Sequence, residues 1–276
     1  LPSAQKLIIQ RARALNKVAI TATQMMESMI ENSIPTRAEV SDVANAVLDG
    51  TDAVMLSAET ATGNHPVATI EAMSRICLAA EKQPKNHSSK HRLDSQFEDV
   101  DEAIAMATMY TANHLNIKAI ACFTESGSTP LWMSRIRSCI PIFAFSQHAL
   151  SRGKMALYRG VYPIPFDPTT VSRAEINNSV AQELKKRKIA EKGDLIIIES
   201  TSPIGTTEKM ADVIFSTRPE LKGEIHIAYC PERVLPGNIL YELVNNDRVI
   251  GGLDEKSAIK AEEFYAQFVK GNLYRT

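Results

Sequence analysis

The sequence has almost no net charge, little aromatic character and no long apolar run. Its 276 residues carry 31 Lys or Arg against 32 Asp or Glu, a formal charge of −1. So even a balance argues against nucleic acid or another polyanion as the main partner. No apolar stretch approaches the roughly 20 residues that a membrane-spanning helix needs. The start, Leu1-Pro2-Ser3, lacks a signal-peptide pattern and an initiator Met, which suggests a chain that begins inside a longer protein. Only four cysteines are present, Cys77, Cys122, Cys139 and Cys230, and none forms a C-x-x-C pair. They read as buried, reduced thiols of a cytoplasmic protein. What remains is ordinary globular composition, 44% hydrophobic and 23% charged, enough for a real core and roughly two domains.

The most informative stretch runs from Thr21 to Thr60. Lys17 to Thr23 reads as a strand. Thr36-Arg37-Ala38-Glu39 fits a capping box, hydroxyl to one orphan amide and carboxylate to another. Val40, Val43, Ala44, Val47 and Leu48 then recur at helical spacing, and Gly50 is a helix stop. Asp52 to Leu56 is a short apolar strand. Polar residues follow both strands: Thr23 and Gln24 after the first, Ser57 and Glu59 after the second. In α/β sheets and barrels ligands bind beyond the carboxyl ends of strands, so these residues aim at one site. Helices are expected at Ala4 to Leu15, with Leu7, Ile8, Arg11 and Leu15 on one face, and from Pro66, with Val67, Ile70, Met73, Ile76 and Cys77 on one side. Residues 1–82 thus alternate α-β-α-β-α. Two strands cannot close a barrel, so further strands are expected outside this stretch. Met25, Met26 and Met29 read as packing residues, and Arg37 and Asp42 as capping or interface residues.

The text ATQMMESM, then PTRAEVSDVANAVLDGTDAVMLSAET with Gly63, resembles the seventh and eighth strands of the pyruvate kinase barrel. The resemblance runs more weakly to about residue 195. It implies an α/β fold: the last β/α units of a TIM-type barrel, followed by an open, mostly parallel three-layer α/β C-terminal domain. It divides the chain into a partial barrel (1–82), a linker (83–99) and an effector domain (100–198). The linker, Gln83 to Glu98, is polar and without apolar period; its His87 and His91 lack the rigid helix and third ligand a metal site needs. SKHRLDSQFEDVDEAIAMA is similar to the bacterial form activated by nucleotides or sugar phosphates.

Residues 100–198 read as four strands alternating with helices, a doubly wound sheet: strands at Ala119 to Phe123, Pro141 to Phe145, Val161 to Ile164 and Asp194 to Ile198. The loop Thr124-Glu125-Ser126-Gly127-Ser128-Thr129 joins a strand to a helix start, where free amides, a positive dipole end and hydroxyls favour an anion; a capped turn without ligand is the equal alternative. By the resemblance this is the effector-phosphate loop. Ser128 stands where the family usually carries Arg; Arg135 or Arg137 could replace that cation, the plainer alternative being solvated helix arginines.

Beyond residue 198 the family pattern breaks. Glu199 to Met210, Ile225 to Asn238 and Asn246 to Gly252 resemble the N-terminal domain of a nucleotide-sugar dehydrogenase of the UDP-N-acetylmannosamine dehydrogenase kind. That resemblance makes residues 199–276 a Rossmann segment and places Thr201 and Glu232 at the catalytic site of the family. The family's G-x-G-x-x-G fingerprint has no match here, so NAD enters only with this weaker reading. Cys230, before Pro231, reads as a buried small residue rather than a nucleophile. The two resemblances meet near Lys192 to Ile197, as in a chimera.

The pyruvate kinase resemblance implies phosphoryl transfer between phosphoenolpyruvate and ADP, with ATP and pyruvate as products of this glycolytic, cytoplasmic reaction. It makes Thr23 a residue beside the substrate and Ser57 and Glu59 a strand-end pair suited to proton relay and support. It implies Mg2+ and K+ for the complete enzyme, a homotetramer, and an effector such as AMP or a sugar phosphate. The catalytic Lys and acidic metal ligands belong to earlier barrel strands, which nothing here resembles. Activity of this chain alone is therefore not expected, and a non-catalytic effector-binding or fusion product is the alternative.

Overall fold

The computed structural model describes residues 2–83, 100–114, 117–167, 183, 186–187, 194–198, 205–217, 219–231 and 239–276. The chain divides into two compact units. One holds the described residues of 1–92 and 108–165, the other those of 93–107 and 166–276. The helix Val100–His114 (α5) contributes to both.

In the first unit, α1 is Pro2–Ala14 and β1 is Ile20–Thr21. A 3-10 turn at Glu27–Ile30 precedes α2, Arg37–Asp49. β2 is Ala53–Val54, α3 is Ala58–Ala61 and α4 is Pro66–Glu81. β1 and β2 pair in parallel, Ile20 beside Ala53 and Thr21 beside Val54. They are shorter than the apolar runs suggest, because a strand lengthens only where a neighbour supplies the ladder, and here each has one. The predicted capping box is present in full at Thr36 and Glu39. Gly50 ends α2 with φ +96°, and a β-carbon there would lie 2.9 Å from Arg13 Nη1. Only glycine satisfies both conditions.

The core beneath these elements is Met25, Met26, Met29, Val43, Ala46, Ala72 and Met73, all buried. Three methionines behave here as unbranched gap-filling packing residues. Helix faces differ from the expected ones. On α1 the buried residues are Ile9 and Arg13, one turn apart, while Leu7, Ile8 and Leu15 are exposed. On α4 the buried stripe is Thr69, Ala72, Met73 and Ala80, with Val67 and Ile70 exposed. Apolar pattern alone cannot choose a face when only part of the packing surface is present.

The α/β part of the first unit is a parallel sheet of β3 (Ile120–Phe123), β4 (Ile142–Ser146) and β5 (Val161–Pro165) in that order. Helices α6 (Ser128–Arg135) and α7 (Ala149–Met155) form the crossovers. Central β4 is buried at every position.

The second unit corrects the expected four-stranded sheet. β6, Leu195–Ile198, pairs in parallel with β7, His226–Tyr229, across helix α8, Thr206–Thr217. β7 then runs antiparallel to β8, Arg248–Gly252, which pairs in parallel with β9, Leu273–Arg275. Helices α9 (Ile239–Asn245) and α10 (Glu255–Tyr265) complete the unit. Its core joins Ala228, Cys230, Ile250, Ala261, Tyr265 and Val269. The fourth strand thus enters the tail's sheet, since a single crossover helix brings β7 alongside it. The predicted helix at Ser172 to Lys188 lies almost wholly outside the described residues. None of the described helices is long and apolar enough to cross a membrane.

Candidate functional site

Beyond β1 and β2, two carboxylates organise the loops. Glu59 is buried at 4% exposure. Its Oε2 accepts the Ser57 amide at 2.7 Å and its Oε1 accepts the Met26 amide at 3.3 Å. This carboxylate therefore ties the loop after β1 to the loop after β2. Both oxygens are engaged by backbone amides, so the geometry favours holding the loops over passing protons. Ser57 and Thr23 are exposed. Ser57 O accepts the amides of Thr60 and Ala61, which starts α3, and Thr23 O accepts the Met25 amide. The structure thus connects Glu59 with Ser57 directly and with the Thr23 loop through Met26.

The second carboxylate is Glu39, which the sequence presents only as a cap. Its Oε1 accepts Ser28 N at 2.7 Å, and its Oε2 accepts Ser28 Oγ at 2.5 Å, Thr36 N at 2.7 Å and Thr36 Oγ1 at 2.8 Å. Burial alone would raise this carboxyl, but the hydrogen bonds from Ser28 and Thr36 outweigh it and hold Glu39 below its ordinary 4.5.

The hydroxyl loop of residues 124–129 closes on itself. Gly127 N donates to Thr124 Oγ1 at 2.9 Å, Ser128 N donates to Ser126 Oγ at 3.2 Å, and the Ser126 and Ser128 hydroxyls are 2.9 Å apart. Ser151 Oγ donates to Glu125 O. Gly127 has φ +88° and precedes α6. Two amides at this helix start are thus already satisfied by hydroxyls that an anion would have to replace. Thr129 and Ser128 are half-buried at the same end.

The expectation that Arg135 could supply the cation missing at Ser128 does not hold. Arg135 is fully buried and donates to both oxygens of Asp52 and, at 2.8 Å, to Lys17 O. Its fork is committed at the far end of α6. Arg137 likewise donates to Leu48 O at 3.0 Å. Around them, Arg13 donates to Gly50 O and Arg135 O, while Arg159 donates its side chain to Val47 O and its amide to Asp52 Oδ1. Three guanidinium groups therefore meet the C-terminal carbonyls of α2, where the helix dipole is negative. The crowding shows in Arg13, which burial first, and then Arg135 and Arg159, push down to about 10. Sequence reasoning missed this clasp. Its signals were a charged Asp52 at the head of an apolar strand and arginines on otherwise apolar helix faces.

Cys122 and Cys230 are buried as expected, with burial pushing Cys122 up to about 12. Cys139 departs from the expectation: it is exposed and donates to Glu81 O. Thr201 and Glu232 lie outside the described residues, as do His87 and His91. Among the described residues no group of three or more His, Cys, Asp or Glu could hold a metal. With both Glu59 oxygens on amides, the strand-end residues do not fit a divalent cation. The described tail offers strands β6 to β9, and the sequence carries no G-x-G-x-x-G fingerprint ahead of them.

Comparison with known proteins matches three domains from two families. Residues 1–70 match "Pyruvate kinase, barrel domain", and residues 102–214 match "Pyruvate kinase, alpha/beta domain". Residues 164–269 match "UDP-glucose/GDP-mannose dehydrogenase family, NAD binding domain". The pyruvate kinase of Buchnera aphidicola subsp. Baizongia pistaciae is 55% identical over 212 residues, 76% of this chain and 44% of the relative. Pyruvate kinase II of Salmonella typhimurium is 55% identical over 207 residues, 74% of this chain and 43% of the relative. The solved structure of Cryptosporidium parvum pyruvate kinase aligns with a TM-score of 0.63 at 37% identity, covering 70% of this chain and 40% of that one. The chain spans less than half the length of these relatives. The second and third matches overlap at 164–214, and the junction expected at 192–197 falls inside the overlap.

Proposed function

Since this chain, to about residue 195, belongs to the pyruvate kinase family, we propose that it contributes one side of a site for phosphoenolpyruvate and ADP. In that reaction the phosphoryl group passes to ADP, and the enolate left behind takes a proton to become pyruvate. Identity of 55% sustained over 212 residues carries the reading. Thr23 and Ser57 would face the substrate from the ends of β1 and β2, and Glu59 would keep the two loops in register. The loop of residues 124–129 would receive a phosphorylated effector such as AMP or a sugar phosphate, with affinity reduced by Ser128 in place of a cation. Mg2+ and K+, a homotetramer and a cytoplasmic setting come with the family reading.

We expect no turnover from the chain alone, because nothing in it matches the catalytic Lys or the acidic metal ligands. A lactate dehydrogenase-coupled assay with phosphoenolpyruvate, ADP, Mg2+ and K+ tests this. A flat NADH trace is expected, and substrate-dependent turnover would sink the inactive-portion reading. A second reading is favoured by one observation, the pairing of β6 with the tail strand β7. It makes residues 199–276 a piece of a nucleotide-sugar oxidoreductase, with Thr201 and Glu232 at its site. NADH production from a UDP-amino sugar would support it, and its absence is the expected result.

A further inference from the structure

The bonds of Glu39 exceed what a helix cap requires. A capping box needs its carboxylate on the N-cap amide, and the 2.7 Å bond from Thr36 N provides that. Two further bonds leave the helix and reach Ser28, at its amide and its hydroxyl, 11 residues earlier in the chain. Ser28 sits in the 3-10 turn Glu27–Ile30. Two residues before it, the Met26 amide rests on Glu59. At the far end of the turn, Ile30 O accepts the Asn64 amide. Met25, Met26 and Met29 are buried beneath the segment, whereas Thr23 and Gln24 are exposed above it. Bonds to an ionised carboxylate are short and about twice as strong as neutral ones, so they dominate the placement of an otherwise exposed loop.

We propose that Glu39 is a positioning residue for the segment 23–30, holding Thr23 in place through Ser28, with capping of α2 as its lesser task. The proposal rests on the reading of Thr23 as a substrate-side residue. A carboxylate suits the position because it meets donors on all sides: Ser28 N, Ser28 Oγ, Thr36 N and Thr36 Oγ1. A carboxamide would set its own N–H group against one of them.

The test is amide hydrogen exchange on the complete chain, resolved for residues 23–31 and 37–48, in the native protein and in Glu39→Gln, Ser28→Ala and Thr36→Val. Glu39→Gln should speed exchange in 23–31 by about tenfold, as expected for loss of charge-assisted bonds. It should also move the Ser28 amide proton resonance upfield. Ser28→Ala, which leaves the helix cap intact, should accelerate 23–31 by a smaller factor and leave 37–48 unchanged. Thr36→Val should accelerate only the first turn of α2. Unchanged exchange in 23–31 for Glu39→Gln and Ser28→Ala would overturn the proposal. So would matching patterns for Glu39→Gln and Thr36→Val confined to 37–48. Exchange is measured without substrate, so its failure counts against Glu39 alone, whereas an unmoved Thr23 amide resonance on addition of phosphoenolpyruvate would count against the reading of Thr23 as a substrate-side residue.

Discussion

Asp52 is a single buried carboxylate beside Arg135, whose side chain is also fully buried. The Ala19 amide donates to Asp52 Oδ2 at 2.9 Å and the Arg159 amide to Asp52 Oδ1 at 3.2 Å, and Arg13 stands close enough for the Asp52 charge to act on it. Removing one member of a buried pair strands the other, at a cost of about 3–5 kcal/mol. Asp52→Ala should therefore unfold the first unit at clearly lower urea. The fluorescence of Trp132, the only tryptophan and a residue of α6, reads that unit. Replacing Asp52 and Arg135 together with apolar residues should cost less than Asp52→Ala alone, which a double-mutant comparison would show. Glu39 predicts a pH effect. Its carboxyl titrates lower in the folded chain than the ordinary 4.5. The unfolded chain thus binds the proton first as pH falls, so the Glu39 contribution is complete above that value and is lost as pH drops below it. Urea midpoints of the native protein should fall faster with acidification through this range than those of Glu39→Gln. Equal slopes would show that Glu39 does not carry the effect. At this scale the sequence made Glu39 legible as a cap, because Thr36 lies three residues away. Its reach to Ser28 and the Asp52–Arg135 pair were not legible, since they join residues 11 and 83 positions apart.

Helix α2 was readable at both ends, since each end depends on residues adjacent in the chain. Gly50 supplies the left-handed stop and leaves space for Arg13. Gly50→Ala should cost about 1–2 kcal/mol from the left-handed backbone alone, and more from the displaced guanidinium group. Thermal unfolding followed by Trp132 would record it, and an unchanged midpoint would contradict the account. Strand β6 teaches the opposite lesson. Leu195-Ile196-Ile197-Ile198 is an apolar run that reads as a strand wherever it stands. Its partner was set by which neighbour the tail could bring alongside, and β7 arrives through one crossover helix. The same holds for α1 and α4, whose buried faces follow the elements present to receive them.

Residues 1–83 expose Leu7, Ile8, Ile20, Ile34, Met55, Val67 and Ile70, each at 47% or more. In addition β1 and β2 make a sheet of only two strands, below what is stable without further cover. Apolar surface of this extent marks a surface that associates. The purified chain should sediment with a weight-average mass that rises with concentration. Ile20→Lys with Val67→Lys should reduce that rise, and a concentration-independent monomer in the native chain would contradict the expectation. The match takes in 44% of the Buchnera relative, over barrel and α/β regions, which agrees with a surface that further chain would cover.

The sequence by itself determined the likeness to pyruvate kinase, the capped helix α2, the β/α alternation and the methionine packing, together with the tail's likeness to a second family. These are local or nearly continuous signals, and patterns of spacing, capping and turn chemistry carry them without reference to distant residues. Only the tertiary structure decided which helix faces are buried, that Arg135 is spent on Asp52 rather than offered to an anion, that β6 joins the tail's sheet, and that Glu39 reaches the loop carrying Thr23. Each of these depends on which distant group lies within hydrogen-bond or packing range. A side chain's type states what it can bind, and the fold alone selects among the partners.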